Sequence, residues 1–228
     1  MLTTCSLFKG LDADGLTAVS QSAKIRKANA GEFFFYEGEP AETFFVVRSG
    51  MVRLLQTTTD GKQVIMNICG PGDGMSIVAA LDNVVVPVSA EAIQKVSAYA
   101  WDKATIERLM NMYPVIAFNG MEMMANRFHQ TQDRYRELAT ERVEQRVARI
   151  LVCLADQGGV KTGTGIRIDM PLTRQDIAQM TGTTLFTVSR ILSKWEQTGL
   201  VHTRRQSVEI ALPQQMVRIA EHLGDYTA

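Results

Sequence analysis

The pattern of apolar and polar residues changes twice along the chain, near Gly31 and again near Asp102. Before Gly31, the mixture of apolar and polar residues predicts short helices. From Gly31 onward, glycines separate short runs rich in aromatic and β-branched residues, at residues 32–36, 43–47, 51–55 and 97–101. Strands of this length, spaced about 8–12 residues apart, predict an all-β sandwich or barrel. Asp60-Gly61, between two such runs, indicates a hairpin turn.

A seam of helical period follows Asp102. Its mostly apolar residues recur at alternating intervals of four and three, a spacing that lets two helices pack knobs into holes. The predicted dimer interface consists of Ala117, Met121, Met124, Phe128, Thr131, Tyr135 and Leu138. A helix that packs only on its own domain is the alternative, and the length of the seam favours a coiled coil of two chains.

Residues 172–192 predict two helices joined by a tight turn. Thr173 and Thr184 can each cap a helix, and Gly182 stands where the turn needs a left-handed backbone. The small side chain of Ala178 allows the second helix to cross closely. The second helix would bury Val188, Ile191 and Leu192. These coinciding constraints favour a helix-turn-helix over an ordinary helical hairpin.

The second helix of such a motif lies in the major groove of DNA, with its N-terminal turn toward the base edges. Arg190 can then reach guanine, and Arg174 can contact the phosphate backbone. Residues 201–210 predict a hairpin, or wing, whose basic tip suits either phosphate or solvent. The predicted DNA-contacting residues are Thr173, Arg174, Thr184, Leu185, Phe186, Thr187, Ser189, Arg190, Arg204 and Arg205.

The composition adds mainly exclusions. The 24 basic and 24 acidic side chains give no net charge, so DNA binding would depend on a local basic face. Cys5, Cys69 and Cys153 are too few and too scattered for a disulfide framework or a four-cysteine iron–sulfur cluster. No secretory signal or membrane-spanning stretch is recognised, and a cytoplasmic protein is expected. No catalytic triad order, metal-ligand cluster or P-loop indicates an enzyme.

Several motifs form one recognisable set. The glycine-punctuated residues 31–52, followed by Pro71-Gly72-Asp73, are similar to a cyclic-nucleotide-binding β-roll. Together with Tyr113-Pro114 and residues 187–192, they resemble the CRP/FNR family of bacterial transcription regulators, and the resemblance covers essentially the whole chain. It implies an α+β fold with a cyclic-nucleotide-binding-like β-roll at residues 1–105, a long dimerisation helix at 106–138, and a C-terminal winged helix-turn-helix at 139–228.

The resemblance also implies a homodimer that binds palindromic double-stranded DNA and contacts RNA polymerase. It implies a small-molecule effector pocket between the β-roll and the long helix, and a hinge near residues 138–140. The implied pocket residues are Ser76, Ile77, Pro87, Val88, Ser89, Arg127 and Thr131. A small-molecule-binding module that acts on a protein partner is the second hypothesis, and the predicted winged helix disfavours it.

The chain departs from the family pattern at the effector pocket. Members that bind cyclic AMP carry a Gly-Glu pair for the ribose and an Arg-Ser pair for the phosphate. Ser76-Ile77 and Pro87-Val88 stand at the matching positions. Because a buried phosphate needs a cation or several donors, tight binding of cyclic AMP is not expected. Since only Cys5 lies near the N-terminus, the iron–sulfur sensor of some members is not expected either.

The recognition helix departs as well. Phe186 stands where the common pattern has a glutamate that accepts from cytosine N4, so the half-site should differ there from TGTGA and TTGAT. Residues 185–190 resemble the nitric-oxide-responsive regulators of denitrification, some of which bind haem. Of His129, His202 and His222, only His129 is expected beside the pocket. A surface histidine on the helix is the alternative to a haem ligand.

Overall fold

The fold is described from a computed structural model, which covers residues 2–81 and 83–221. The chain forms two compact units, with the division between Thr131 and Gln132. We call them the N-terminal and C-terminal units. A single 27-residue helix, α3 (Pro114–Thr140), contributes to both. This division differs from the predicted three segments, because the long helix does not form a separate body.

Two four-stranded antiparallel sheets make up most of the N-terminal unit. The first contains, in spatial order, β1 (Lys24–Ala28), β8 (Val96–Asp102), β3 (Thr43–Ser49) and β6 (Gly74–Met75). The second contains β2 (Phe33–Phe35), β7 (Ser89–Ala92), β4 (Val52–Thr57) and β5 (Gln63–Cys69). The predicted β-roll is thus present.

The interior of the β-roll is apolar and contains many small side chains. Phe34 and Phe45 meet edge to face at 5.4 Å between ring centroids. Gly61 adopts a φ of 79° in the turn between β4 and β5, as its position in the sequence predicts. The remaining buried members of this cluster are Ala28, Val47, Val52, Leu54, Cys69, Met75, Ala90, Ala92, Val96, Ala98 and Ala100.

Strand β1 was predicted to be helical, and that prediction is wrong. Residues Lys24 to Lys27 are exposed, and only Ala28 is buried. Because the strand lies at the edge of its sheet and pairs with β8 alone, its side chains do not show the alternation typical of a half-buried strand.

A second apolar cluster joins the first sheet to the N-terminal helices. Two 3-10 turns, Leu2–Thr4 and Ser6–Phe8, precede α1 (Ala13–Ser22). Trp101 is buried beside Phe8 and Phe44, with ring centroids 5.3 and 5.9 Å away. Its indole N–H donates to the Val19 carbonyl at 3.0 Å, so the buried polar atom is satisfied.

The helical region after the β-roll starts earlier than predicted and is divided by a proline. Helix α2 (Lys103–Met112) is capped by Asp102, whose carboxylate accepts from the Thr105 N–H. Pro114 then begins α3, where its missing N–H costs nothing. Asn119 fixes α3 to its own unit, because its side-chain amide donates to the Leu7 and Lys9 carbonyls at 2.9 and 2.8 Å.

The C-terminal unit is a helical domain with a small sheet. Its elements after α3 are α4 (Val143–Gly158), β9 (Gly159–Lys161), β10 (Ile166–Ile168), α5 (Arg174–Thr181), α6 (Leu185–Gln197), β11 (Val201–Arg204), β12 (Ser207–Ile210) and α7 (Pro213–Glu221). Thr140 is the last residue of α3, and Arg142 holds the N-cap position of α4. Across residues 2–81 and 83–221, no helix combines the length and apolarity needed to cross a membrane.

Candidate nucleic-acid interface and effector region

The two helices α5 and α6 are joined as the sequence predicts. The Thr173 hydroxyl accepts from the Asp176 N–H at 3.0 Å, and the Asp176 carboxylate accepts from the Thr173 N–H at 2.8 Å. Gly182 has a φ of 63°, which lets the chain turn sharply after α5. Thr184 begins α6, with its hydroxyl accepting from the Thr187 N–H at 3.2 Å. The predicted caps and the glycine turn are confirmed.

The first turns of α6 present an exposed face. Leu185 is 41% exposed and Phe186 is 84% exposed. Arg190 is also exposed, and within the described parts of the chain it has no hydrogen-bond or ion-pair partner. Thr187 and Ser189 are half-buried at the edge of this face. The opposite side of α6 is buried in the unit through Val188, Ile191, Leu192 and Trp195.

The wing, formed by β11 and β12, is hydrogen-bonded to α6 and to the segment that precedes α5. The Glu196 carboxylate accepts from the N–H and the hydroxyl of Thr203, both at 3.0 Å. These bonds, with the nearby positive charge of Arg174, hold the pKa of Glu196 below its usual value. At the tip, the Gln206 carbonyl accepts from the Leu172 N–H at 3.0 Å. The exposed side chains of Arg204 and Arg205 therefore stand on an anchored turn beside the start of α5.

Thr173 is a predicted DNA-contacting residue whose hydroxyl both accepts and donates within the helix cap. Its hydroxyl accepts from the Asp176 N–H and also donates to the Asp176 carboxylate at 2.6 Å. The capping role therefore already uses the one O–H donor that a DNA phosphate would need. Arg174 is half-buried near Glu196, and the other predicted residues lie on the exposed or half-exposed surface of α6 and the wing.

The turn between α5 and α6 is held from outside the motif. Arg134 of α3 donates to the Met180 carbonyl, and Arg146 of α4 donates to the Thr181 carbonyl at 3.0 Å. Carbonyls at a helix C-terminus lack partners within the helix, so the two guanidinium groups satisfy them. A Cβ at Gly182 would lie only 2.9 Å from Leu138. We call Arg134, Leu138 and Arg146 the turn clamp.

An ion cluster fixes the same end of α3 to α4. Arg149 pairs with Glu141 at 2.7 Å and with Glu137 at 3.2 Å. Burial raises the pKa of Glu137, although the charge of Arg149 opposes the rise. The residues after Gln132 therefore belong to the C-terminal unit, and the hinge expected near residues 138–140 lies inside a bonded region. The sequence did not reveal this cluster, because its charges resemble an ordinary solvated helix face.

The predicted effector residues contribute few polar groups. Ser76 adopts a φ of 60° at the start of a 3-10 turn, and its buried hydroxyl has no hydrogen-bond partner. The buried Ser89 hydroxyl accepts from the Glu37 N–H at 2.9 Å. Arg127 reaches from α3 to the Gly74 carbonyl at 3.3 Å and to the Cys69 sulfur at 3.8 Å. Burial raises the pKa of Cys69 to about 11, so Arg127 faces a neutral thiol.

The other predicted effector residues are apolar or turned outward. Ile77 and Val88 pack against the two apolar clusters of the N-terminal unit. Pro87 is exposed. Thr131 is exposed as well, and its hydroxyl donates to the Arg127 carbonyl of its own helix, which does not support a place in the pocket. A phosphate in this region would therefore find Arg127 as the one cation among the predicted residues.

The histidines do not fit a haem site. A haem iron needs an axial ligand that reaches an enclosed apolar pocket. His129 is exposed on α3 and His202 is exposed on β11, while His222 lies outside the described residues. Among the residues that the structure describes, no group of three or more histidine, cysteine, aspartate or glutamate side chains could hold a metal ion. The exposure of His129 does not support the expectation that it is a haem ligand beside the pocket.

The predicted dimer seam forms an exposed row on α3. Met121, Phe128 and Tyr135 are 62%, 62% and 77% exposed, and Met124 and Leu138 are also exposed. Ala117 is half-buried and Thr131 exposed. The helix packs on its own unit through a different face that includes Asn119 and Gly120. Apart from Leu138, which approaches Gly182, the seam is therefore not explained by packing within one chain. Phe118, 65% exposed beside the seam, was missed because it is out of step with the heptad.

Comparison with known proteins matches this arrangement. A model of the cyclic nucleotide-binding domain matches residues 25–113, and a model of the Crp-like helix-turn-helix domain matches residues 145–219. The chain is 26% identical over 220 residues to the CRP-like cAMP-activated global transcriptional regulator of Mycobacterium tuberculosis, covering 96% of this chain and 98% of that protein. It is 25% identical over 221 residues to the nitrogen fixation regulation protein FixK of Bradyrhizobium diazoefficiens, covering 96% and 91%.

Solved structures support the same fold. The structure of FixK2 from Bradyrhizobium japonicum superimposes with a TM-score of 0.76 at 24% identity, covering 90% of this chain and 99% of that one. The chain therefore belongs to the CRP/FNR family of transcription regulators. It is a DNA-binding regulator with an effector-binding domain of the cyclic-nucleotide-binding type, and its relatives are regulators rather than enzymes.

Proposed function

We propose that the protein is a homodimeric, sequence-specific regulator whose two α6 helices read the half-sites of a palindromic DNA, under the control of an effector in the β-roll. The observation that carries this proposal is the exposed first half of α6, where Phe186 and the unpaired Arg190 project from a helix that is capped and buried on its other side. Side chains in that place of a helix-turn-helix face the base edges of the major groove.

The proposed dimer rests on the exposed seam of α3. Five large apolar side chains of α3 are exposed to solvent in the single chain, and a second copy of the chain would cover them symmetrically. Two α6 helices related by a two-fold axis match a palindromic operator. We further propose that the bound dimer contacts RNA polymerase and acts in the cytoplasm, as a transcription regulator must. The alternative, a small-molecule-binding module that acts only on a protein partner, gives no role to the exposed face of α6 that contains Phe186 and Arg190.

The proposed effector is not cyclic AMP. The residues at the family's ribose and phosphate positions offer a serine hydroxyl, an isoleucine, a proline and a valine. Arg127 supplies one cation, which is already hydrogen-bonded to the Gly74 carbonyl. A gas-sensing haem is disfavoured by the exposed histidines. The buried, unpartnered Ser76 hydroxyl and the apolar surroundings suit a small and weakly charged ligand better.

Binding to DNA can be tested through Arg190. We expect Arg190→Ala to weaken binding to a selected palindromic duplex by ~1–3 kcal/mol, which is about 5- to 150-fold, and to relax specificity at one base pair of each half-site. Fluorescence anisotropy over a salt series gives both the affinity and its salt dependence. Arg108→Ala, which removes an exposed arginine of α2, is the matched control and should bind like the wild type. Equal weakening on every sequence would make Arg190 a phosphate contact.

The turn clamp can be tested through Arg134. Arg134→Met leaves the Met180 carbonyl without its charged donor, so we expect a loss of ~1.5–3 kcal/mol in stability and weaker DNA binding. Because Arg134 makes no proposed phosphate contact, the slope of log Kd against log salt should stay unchanged. Arg136→Met, two residues further on the exposed side, is the control. A flattened slope in Arg134→Met would mean that Arg134 itself touches DNA.

A further inference from the structure

Phe186 is the most exposed large apolar side chain among the described residues, at 84%. Leu185 beside it is 41% exposed, so the first turn of α6 presents a small apolar surface to solvent. Contiguous exposed apolar groups on a folded protein commonly mark a binding surface. The resemblance to the family does not explain this apolar surface, because the common family pattern has a glutamate, and not an apolar residue, at the position of Phe186.

The apolar turn is rigidly placed. The Thr184 hydroxyl accepts from the Thr187 N–H at 3.2 Å and lies 3.0 Å from the Thr187 hydroxyl. Val188, one turn from Thr184, is buried and fixes the rotation of α6 about its axis. Phe186 therefore keeps its outward direction without help from a ligand, and little ordering is needed when it binds.

Phe186 and Arg190 lie four residues apart, on the same face of α6. Four residues advance a helix by about 6 Å, which corresponds to about two base-pair steps of B-DNA. The first turn of α6 contains no acidic residue, so this face offers no carboxylate acceptor for cytosine N4 or adenine N6. Its chemistry is an apolar group followed by a strong donor.

In the major groove, the apolar group on a base edge is the 5-methyl of thymine, and the strongest paired acceptors are guanine O6 and N7. We propose that Phe186, assisted by Leu185, reads the 5-methyl group of a thymine that lies one or two base pairs from the guanine bound by Arg190 in each half-site. This inference rests on the proposed function of α6 as the DNA-reading helix.

The test begins with selection of duplexes from a randomised palindromic library by the full-length wild-type protein. Each invariant thymine of the selected site is then replaced by deoxyuridine, which removes only the methyl group. We expect one thymine per half-site at which this change weakens wild-type binding by about fourfold, the size of one buried methyl group. Phe186→Ala should bind the thymine and deoxyuridine duplexes equally.

Two further variants sharpen the result. Leu212→Ala removes a side chain that is also 41% exposed but precedes α7, and it should keep the fourfold response to deoxyuridine. Phe186→Glu places an acceptor in the first turn, and its selected sites should carry cytosine where the wild type selects thymine. Thermal denaturation of each variant, expected to match the wild type, verifies that folding is unchanged.

The outcomes separate the two proposals. If the wild type selects no sequence, the proposed function of α6 fails. If it selects a site but binds the deoxyuridine duplexes as tightly as thymine, or if Phe186→Ala keeps the response, the assignment of Phe186 is overturned while sequence-specific binding stands. A response that is lost in Phe186→Ala but kept in Leu212→Ala supports the assignment.

Discussion

Replacing Phe128 with glutamate is expected to produce a folded monomer that binds a palindromic duplex ~100-fold or more weakly. Phe128 is 62% exposed in the middle of the α3 seam, and its one ring contact in the described residues is with the neighbouring His129, so the substitution disturbs little packing within its own chain. In a dimer, two glutamates would meet near the two-fold axis in an apolar interface, where unpaired charges are costly. The loss of affinity follows because linking two half-site contacts contributes a factor of 10²–10⁴.

Light scattering after size-exclusion chromatography reports the mass, and anisotropy on full and half-site duplexes reports the affinity. Gln130→Glu places the same charge on an exposed position off the seam and should remain dimeric. The Phe128→Glu protein should bind the full palindrome no better than a single half-site. If the Phe128→Glu protein remained a dimer and bound the palindromic duplex as tightly as the wild type, the seam would not be the dimer interface.

Arg53→Met is expected to lower the free energy of unfolding by about 3 kcal/mol, the low end for breaking a buried ion pair. Arg53 of β4 and Glu91 of β7 form two parallel hydrogen bonds, Nη2 to Oε1 at 2.8 Å and Nε to Oε2 at 2.9 Å. The Glu91 side chain is only 11% exposed, so removal of the guanidinium leaves a carboxylate with little access to water.

Urea denaturation followed by circular dichroism measures this change. The double variant Arg53→Met/Glu91→Leu removes both charges and should recover most of the lost stability, because no carboxylate is left buried. Arg108→Met on the exposed side of α2 should change stability by less than ~0.5 kcal/mol. If the double variant is as unstable as the single one, the arginine stabilises the β-roll through contacts other than this pair.

The features that sequence predicted well are local ones. Thr173, Gly182 and Thr184 act within four residues of their partners, so their spacing alone indicates caps and a turn. The heptad seam of α3 is equally local: its large apolar side chains are exposed, and their use in pairing two chains stays a prediction. The β-roll was recognisable because its glycines and aromatic runs repeat at strand spacing.

The features that were missed depend on residues far apart in sequence. Arg134 and Met180 are separated by 46 positions, and no pattern near either one indicates the contact. The polar strand β1 lacked an apolar face, so its pairing with β8 was hidden. His129 shows a related limit, since helical period fixes which residues share a face but not which face meets the β-roll. Tertiary packing decides such cases.

Because α3 is one continuous helix, the distance and the rotation between any two of its residues are fixed. The same helix contains the seam that would pair two chains and the turn-clamp residue Arg134, which donates to the Met180 carbonyl at the end of α5. Every residue of an α-helix adds 1.5 Å and about 100° of rotation. In the proposed dimer, inserting or deleting one residue between Phe128 and Arg134 would therefore turn Arg134 by about 100° around the helix axis and shift it by about 1.5 Å relative to the seam, so only changes close to whole turns would keep both side chains on their present faces of α3.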